Sequence, residues 1–182
     1  MNDESGTEDE RLKKEGTKLV YRGEIFSVRK EAFQYADGSR ASREVVIHPG
    51  AACVIPHDGR VVYLVEQPRE AVGESALLEL PAGKLDVEGE TPLECAQREL
   101  AEEIGKSAGD WRELKTFYTS PGFTNERVWL FLATELYDTP ERRSTDERIE
   151  IVEFPLSEID RAIERCEDAE SLIGLLVLKQ LL

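Results

Sequence analysis

Four charged side chains fall within six consecutive residues, at Arg98, Glu99, Glu102 and Glu103. On a helix, residues three and four apart are neighbours, so the three carboxylates would converge on adjoining faces within one turn. Two interpretations are open. The cluster could be a solvated acidic face, because an exposed pair of like charges costs only about 0.2–0.5 kcal/mol. It could also bind a cation, because carboxylate oxygens are the hard ligands that Mg²⁺ prefers.

The residues on either side of this cluster favour the cation site. The segment 79–83, ELPAG, is typical of a short strand that ends in small residues, so its backbone carbonyls could approach an ion. The loop that follows, KLDVEGE, returns Glu90 towards the helix. Arg98 lies four residues before Glu102 and offsets part of the repulsion among the carboxylates. A strand, a loop and a helix would then supply ligands to one site.

The helix that carries these side chains has signals at both ends. Thr91 suits the N-cap, Pro92 suits the first helical position, and Glu94 completes a capping box with Thr91. Gly105 suits the C-terminal stop. Apolar residues recur at three- and four-residue spacing between these ends, which predicts one amphipathic helix. Its buried stripe would comprise Leu93, Ala96, Leu100 and Ile104.

The remaining elements are mostly strands. Residues 1–16 lack apolar periodicity, which predicts a disordered acidic arm, and residues 17–49 have the alternation of an N-terminal antiparallel β unit. Asp58-Gly59 lies between β-branched runs and predicts a β-hairpin. More strands follow the central helix, and two helices close the chain. We therefore predict an α+β fold with a mixed sheet, whose main domain comprises residues 50–182.

Composition argues against several classes of function. A net charge of -15 in 182 residues disfavours binding to a nucleic-acid backbone. Two histidines are too few for a His-rich zinc site, and Cys53, Cys95 and Cys166 form no CxxC pair, so we expect reduced, structural thiols. No apolar run approaches the roughly 20 residues that cross a bilayer. We expect a soluble, cytoplasmic protein with neither a nucleic-acid nor a membrane partner.

The segment from Gly83 to Lys106 resembles the Nudix box, written G-x5-E-x7-R-E-U-x-E-E-x-G-U with U apolar. The residues in register are Glu90, Arg98, Glu99, Leu100, Glu102, Glu103 and Gly105. The chain departs from the pattern twice, because Gly83 precedes Glu90 by one residue too many and Lys106 stands where an apolar residue is usual. The resemblance implies a Nudix fold, in which helices sandwich a mixed β-sheet, with the N-terminal antiparallel unit attached.

The same resemblance implies a metal site and catalytic residues. Mg²⁺, with Mn²⁺ as an alternative, would be bound by Glu99, Glu103, Glu102 and the Ala82 carbonyl. Arg98 would orient Glu90 and the helix carboxylates rather than bind substrate. Such an ion would neutralise a diphosphate within an acidic protein and activate a water molecule. Glu147 is the expected general base, with Asp146 in reserve and Glu102 as the further catalytic carboxylate.

Segments outside the box are similar to the ADP-ribose pyrophosphatases of this family, namely REVV at 43–46, EQPR at 66–69, LELPAGKLD at 78–86 and SPGFTNER at 120–127. The likeness implies hydrolysis of ADP-ribose to AMP and ribose 5-phosphate. Arg69 would bind a phosphate, and the ribose-side pocket would be lined by Ser120, Pro121, Gly122 and Glu126. Arg43 would stack on adenine and Glu44 would accept a hydrogen bond from it, beside an apolar wall of Phe26 and Ile25.

Alternatives remain at this point. The substrate could be another nucleoside diphosphate sugar or a dinucleotide, and the domain could be a non-catalytic sensor that binds ADP-ribose. Arg43-Glu44 could simply open a solvated strand. The N-terminal β unit could mediate a homodimer, because an isolated antiparallel unit is marginally stable and needs a partner surface.

Overall fold

The computed structural model describes residues 11–139 and 148–182, which divide into two units. The first unit comprises residues up to His48 together with Ser120–Glu126. The second comprises Pro49–Thr119 and Arg127–Leu182. The sequence predicted a boundary after residue 49, but it did not indicate that a segment from the middle of the chain belongs to the first unit.

The first unit is an antiparallel sheet in the order β1-β2-β3. Its strands are β1 (Leu12–Arg22), β2 (Ser27–Tyr35) and β3 (Arg40–Ile47). The predicted limit of the disordered arm, at residue 16, is wrong, because β1 starts at Leu12 and pairs with β2. The strand is exposed along its whole length. Backbone pairing with β2 therefore orders residues 12–16, although their sequence has no apolar periodicity that would predict a strand.

The segment Ser120–Glu126 runs beside β3. The backbone N–H of Val46 donates to the Phe123 carbonyl at 2.8 Å, and the N–H of Asn125 donates to the Val46 carbonyl at 3.2 Å. The Asn125 side chain then accepts from the His48 N–H at 2.8 Å. These bonds satisfy backbone groups on the open edge of β3, so the segment is part of this unit in the hydrogen-bonding sense.

The second unit contains a mixed sheet, as predicted, and a smaller antiparallel one. The mixed sheet has the order β7-β4-β9-β8, and the other has the order β10-β5-β6. Within the described part of this unit, β4 pairs with β9 in parallel, and the other strand pairs are antiparallel. The strands are β4 (Ala51–Pro56), β5 (Val61–Arg69), β6 (Glu74–Glu79), β7 (Ala82–Lys84), β8 (Lys106–Tyr118), β9 (Arg127–Asp138) and β10 (Glu150–Pro155).

The predicted hairpin at Asp58-Gly59 is wrong. The turn is present, since Gly59 has φ 86° and the Asp58 carboxylate accepts from the N–H groups of Arg60 and Val61. Its flanking strands nevertheless belong to different sheets, joined here by one isolated bridge between His57 and Val62. Turn chemistry reverses the chain, but burial of β4 on both faces decides its partners.

Helices cover the sheets through two apolar clusters. The helices are α1 (Pro92–Glu99), continued by a π-helical turn (Leu100–Ile104), then α2 (Ile159–Arg165) and α3 (Ala169–Leu181). Successive residues of β4 alternate between the clusters, so Cys53 and Ile55 contact the α2–α3 side while Ala52 and Val54 contact the α1 side. The fold is α+β, as predicted. In the described ranges, no helix has the length and apolar character needed to span a membrane.

Candidate active site

The carboxylate helix begins and ends as its sequence predicts, but its last turn is wider. The Thr91 side chain accepts from the Glu94 N–H, and the Glu94 carboxylate accepts from the Thr91 N–H at 2.8 Å. Gly105 ends the helix with φ 73°. Between these ends, the single α-helix that we predicted gives way to a π-helical turn at Leu100–Ile104. π-Helical turns are rare in proteins, and those that occur are often at functional sites. This one carries two of the three carboxylates, Glu102 and Glu103.

Arg98 binds three carboxylates at once. Its Nε and Nη2 donate to the two oxygens of Glu90 at 2.8 and 3.1 Å, and its Nη1 donates to Glu99 and to Glu102. These bonds raise the pKa of Arg98, with the bond to Glu90 as the largest cause. Because the Glu90 side chain is only 9% exposed, Arg98 supplies hydrogen bonds that water would otherwise make to it. Arg98 thus has the orienting position that the sequence implied.

Strand β7 lies directly against two of the carboxylates. A Cβ on Gly83 would lie 1.8 Å from Oε1 of Glu99, so the glycine leaves the space that this carboxylate fills. Oε2 of Glu103 accepts from the Ala82 N–H at 3.3 Å, and Glu103 is 5% exposed. The structure therefore brings Ala82, Glu99 and Glu103 together. The Glu102 side chain, by contrast, is 42% exposed on the flank of Arg98.

Cys95 ties the helix to the same strand. Its thiol lies 3.6 Å from the Gly83 carbonyl and 3.4 Å from the Lys84 carbonyl, and it accepts from Nη2 of Arg98 at 3.5 Å. Burial, with a further contribution from the charge of Glu99, raises the pKa of Cys95 to about 12. The sulfur is therefore a neutral thiol at physiological pH, as expected for a structural cysteine.

The carboxylates fit a divalent cation in their chemistry but not in their present arrangement. Their oxygens are hard ligands, and Gly83 allows the Glu99 carboxylate to lie directly against the backbone of β7. Among residues 11–139 and 148–182, however, no three acidic, histidine or cysteine side chains are grouped so as to hold an ion. Arg98 instead binds Glu99 and Glu102. A bound ion would require these two carboxylates to turn away from Arg98.

Arg69, for which the resemblance implied a phosphate contact, lies at the end of β5 and is paired with Glu79. Its Nε and Nη2 donate to the two oxygens of Glu79 at 2.7 and 2.5 Å. These bonds are the main cause of a raised pKa at Arg69, to which the charges of Glu103 and Asp168 also contribute. Arg69 therefore lies within electrostatic reach of the Glu103 carboxylate.

The first unit contains a depression of about 330 Å³ between the sheet and the Ser120–Glu126 segment. Its lining includes Arg43, Pro121 and Gly122, three of the residues expected to bind substrate. Glu44 does not line it, because adjacent residues of a strand point to opposite faces. Arg43 thus lines the depression without Glu44, and their expected joint contact with one base stays a prediction.

Three other residues of the expected substrate site have different partners. Oε1 of Glu126 lies 3.0 Å from Nδ1 of His48. The Ser120 carbonyl accepts hydrogen bonds from the N–H groups of Phe123 and Thr124, which closes a turn. Phe26 is 41% exposed and packs on Tyr21 with a ring separation of 6.1 Å. None of the three lines the depression that contains Arg43.

Sequence reasoning missed Glu79, Gly83 and Cys95 as parts of the site. A signal existed for Glu79, since a lone carboxylate in the apolar run LLEL is a candidate for a buried, paired charge. Gly83 was interpreted only as the first residue of the Nudix motif. The neighbouring sequence does not indicate that the Glu99 side chain occupies the space where a Cβ would lie. The expected general bases Asp146 and Glu147 lie outside the described residues.

The chain is similar to the proteins of one known family. The NUDIX domain family matches residues 46–173, so the chain belongs to the Nudix family, whose hydrolases generally need divalent metal ions. Its relatives include the ADP-ribose pyrophosphatase of Bacillus subtilis strain 168, 37% identical over 152 residues, which are 81% of this chain and 80% of that protein. The ADP-ribose pyrophosphatase of Mycobacterium tuberculosis strain H37Rv is 36% identical over 159 residues, 86% and 76% of the two chains.

The fold is also similar to that of a solved structure described as an ADP compounds hydrolase. The TM-score is 0.82, and the match covers 94% of each chain at 23% sequence identity. The predicted Nudix fold is therefore confirmed. One extra residue between Gly83 and Glu90 does not disturb the register of the helix, since Arg98 still reaches Glu90.

Proposed function

We propose that this chain hydrolyses the pyrophosphate bond of ADP-ribose and releases AMP and ribose 5-phosphate. The observation that carries the proposal is the packing of Glu99 and Glu103 against the Ala82–Gly83 backbone, with Arg98 holding Glu90 behind them. The names of the two pyrophosphatase relatives support ADP-ribose as the substrate. Three acidic side chains in Nudix register also argue against a sensor that only binds the ligand.

We further propose Mg²⁺, with Mn²⁺ as an alternative, as the ion of this site. Glu99, Glu103, Glu102 and the Ala82 carbonyl would hold it. A bound divalent ion neutralises a diphosphate and lowers the pKa of a water molecule, so that hydroxide can attack phosphorus at neutral pH. In an acidic chain this provides the positive charge that a diphosphate needs.

The chain's own residues have separate tasks in the proposed reaction. Arg98 would keep Glu90 oriented, and Glu99 and Glu102, which Arg98 binds here, would hold the ion when one is present. Arg69 donates to a phosphate oxygen, and Glu147 removes a proton from the attacking water, with Asp146 as the reserve base. Water adds to one phosphorus, the bridging P–O bond breaks, and the departing phosphate keeps the electron pair.

A panel of nucleoside diphosphate compounds tests the activity. Each compound is incubated with the protein and Mg²⁺, then treated with alkaline phosphatase, which releases phosphate from AMP and ribose 5-phosphate but not from intact ADP-ribose. We expect phosphate release with ADP-ribose, and its loss in the Glu103→Gln variant. Cleavage of other compounds only would redirect the substrate assignment, and binding of ADP-ribose without turnover would support a sensor.

Within the first unit, we propose that the depression beside Arg43 receives the adenine. Its wall combines a guanidinium with the rings of Phe33 and Phe123, which suits a flat aromatic base. Stacking contributes equally to ground state and transition state, so Arg43→Ala should raise KM for ADP-ribose about tenfold with little change in kcat. Steady-state kinetics measure both values. An unchanged KM would return Arg43 to the role of an ordinary strand residue.

We also propose that the first unit mediates a homodimer. Several large apolar side chains are exposed close together on or beside β1 and β2. Such contiguous apolar patches are typical of protein–protein interfaces. The exposed side chains include Leu19, Val20, Tyr21, Ile25 and Phe26. Sedimentation at assay concentration should give the mass of two chains, and a monomer alone would contradict this proposal.

A further inference from the structure

Glu79 is a nearly buried carboxylate to which the proposed reaction assigns no part. It ends β6 and is 5% exposed, within a run of leucines. Removing a carboxylate from water is strongly unfavourable unless other groups replace its hydration. The charge of Glu79 therefore needs partners that replace the lost water.

Two side chains of the neighbouring strand supply the hydrogen bonds. Arg69 donates from Nε and Nη2, and the Gln67 amide donates to Oε2 at 2.9 Å. Pro68 lies between them where the β5–β6 register shifts. Proline lacks an N–H and is tolerated at such bulges, which redirect the side chains of the bulged strand. The bulge therefore accompanies the convergence of Gln67 and Arg69 on one carboxylate.

Glu79 takes two of the five N–H donors of the guanidinium, which leaves three for other partners. The two donors are one from Nε and one from Nη2 of the planar fork. The remaining donors lie on the edge that faces away from the carboxylate. The exposures agree with this direction, since the side chain of Glu79 is 7% exposed and that of Arg69 is 45% exposed. The available edge thus belongs to the solvent-accessible part of Arg69.

Glu79 and its partner Arg69 are close in the fold to the carboxylate cluster, because Ala82 lies three residues after Glu79 and its N–H donates to Glu103. Besides Glu79, the charges that act on Arg69 include Glu103 and Asp168. A guanidinium that Glu79 holds in one orientation would present its remaining donors to a phosphate bound at that cluster, whereas a freely rotating one would bind other carboxylates instead.

We propose that Glu79 is a positioning residue, which fixes the Arg69 guanidinium so that its remaining donors bind a phosphate oxygen of the nucleoside diphosphate substrate. Gln67 fixes Glu79 in turn. This inference rests on the proposed function, because it assigns the partner of Arg69 in that reaction. According to this inference, Glu79 affects the binding of substrate only by fixing the position of Arg69.

A double-mutant cycle with the full-length chain tests this dependence. KM and kcat for ADP-ribose are measured for the wild type, Glu79→Gln, Arg69→Ala and the double variant, with thermal unfolding of each. We expect Glu79→Gln to raise KM about tenfold, since hydrogen bonds to charged groups have effects of this size, and to change kcat less. In the Arg69→Ala background, the same substitution should leave KM unchanged.

A matched control breaks a different Arg–Glu pair on the same strand. Glu66 of β5 binds Arg165, and Glu66→Gln should leave KM unchanged in either background. Equal effects of Glu79→Gln with and without Arg69 would overturn the inference, since Glu79 would then act through stability alone. If the wild type does not cleave ADP-ribose, the proposed function fails, and this is a separate result.

A second variant covers the case in which Glu79→Gln does not fold. Gln67→Ala removes one donor to Glu79 and keeps the Arg69–Glu79 fork. It should raise KM by about threefold, and only when Arg69 is present. The same rise in the Arg69→Ala background would contradict the inference as directly as the first cycle.

Discussion

Single residues in this site are defined by the space and charge of their neighbours as much as by their own type. Gly83 has no side chain, and the Glu99 carboxylate lies where one would be. Arg98 similarly determines where three carboxylates lie, because each of them accepts a hydrogen bond from its guanidinium. The chemistry of Glu99 is therefore set by a glycine and an arginine on either side of it.

A methyl group at Gly83 should move Glu99. Gly83→Ala would place Cβ 1.8 Å from Oε1 of Glu99, and the carboxylate must turn away because β7 is fixed by backbone pairing with β4. A displacement of about 1 Å at a reacting centre can cost roughly 100-fold in rate, so we expect kcat for ADP-ribose to fall by that order. Gly16→Ala, where a Cβ meets nothing within 4 Å, is the matched control and should retain activity.

The stability of the carboxylate helix depends more on its two ends than on its length. The capping box at Thr91 holds the first turn, Cys95 and Ala96 are buried beneath it, and the π-helical turn ends at Gly105. Since α1 has only eight residues, little intrinsic helix stability is available, and caps and packing must supply it. The positions of the carboxylates thus depend on contacts a full turn or more away.

Loss of the Thr91 cap should destabilise the protein measurably. Thr91→Ala removes the acceptor for the Glu94 N–H and should lower the free energy of unfolding by about 1 kcal/mol. Urea denaturation with an unchanged m-value would measure this. Thr91→Ser keeps a hydroxyl at the cap, and it should remain close to the wild type. Equal losses in both variants would assign the effect to the methyl group instead.

Much of this element could be predicted from sequence because its signals are local. Thr91, Pro92, Glu94 and Gly105 interact within a few residues, so their spacing is sufficient. The Asp58-Gly59 turn was equally local, yet the partners of its strands depend on two layers of core and were predicted wrongly. Glu79 was missed for the same reason, since its donors come from another strand.

At the scale of the whole molecule, all three cysteines are buried in the core. Burial raises the pKa of Cys95 to about 12 and that of Cys166 to about 11, and it raises the pKa of Cys53 as well. The native protein therefore keeps its thiols protonated in alkaline solution, whereas the unfolded chain releases those protons near pH 9. Because the unfolded state then binds fewer protons, stability must fall as pH rises.

The Cys166→Ala variant isolates this effect. The contribution of the thiol is fully present below pH 9 and is lost as pH rises from 9 to about 11, by up to roughly 1.4 kcal/mol per pH unit. Denaturation in a reducing buffer should therefore give a steeper decline for the wild type than for Cys166→Ala. Repulsion within the acidic chain acts on both proteins alike. Parallel curves would show that the Cys166 thiol titrates normally.

The hydrogen bonds between β3 and the Ser120–Glu126 segment have a consequence for how the chain can be divided. Residues 120–126 are encoded between β8 and β9, yet their backbone partners lie before residue 49. A chain that starts after residue 48 would therefore contain the Ser120–Glu126 segment without β3, the strand to which it is hydrogen-bonded. The first unit is not a detachable module, and recombination could transfer it intact only together with this distant loop.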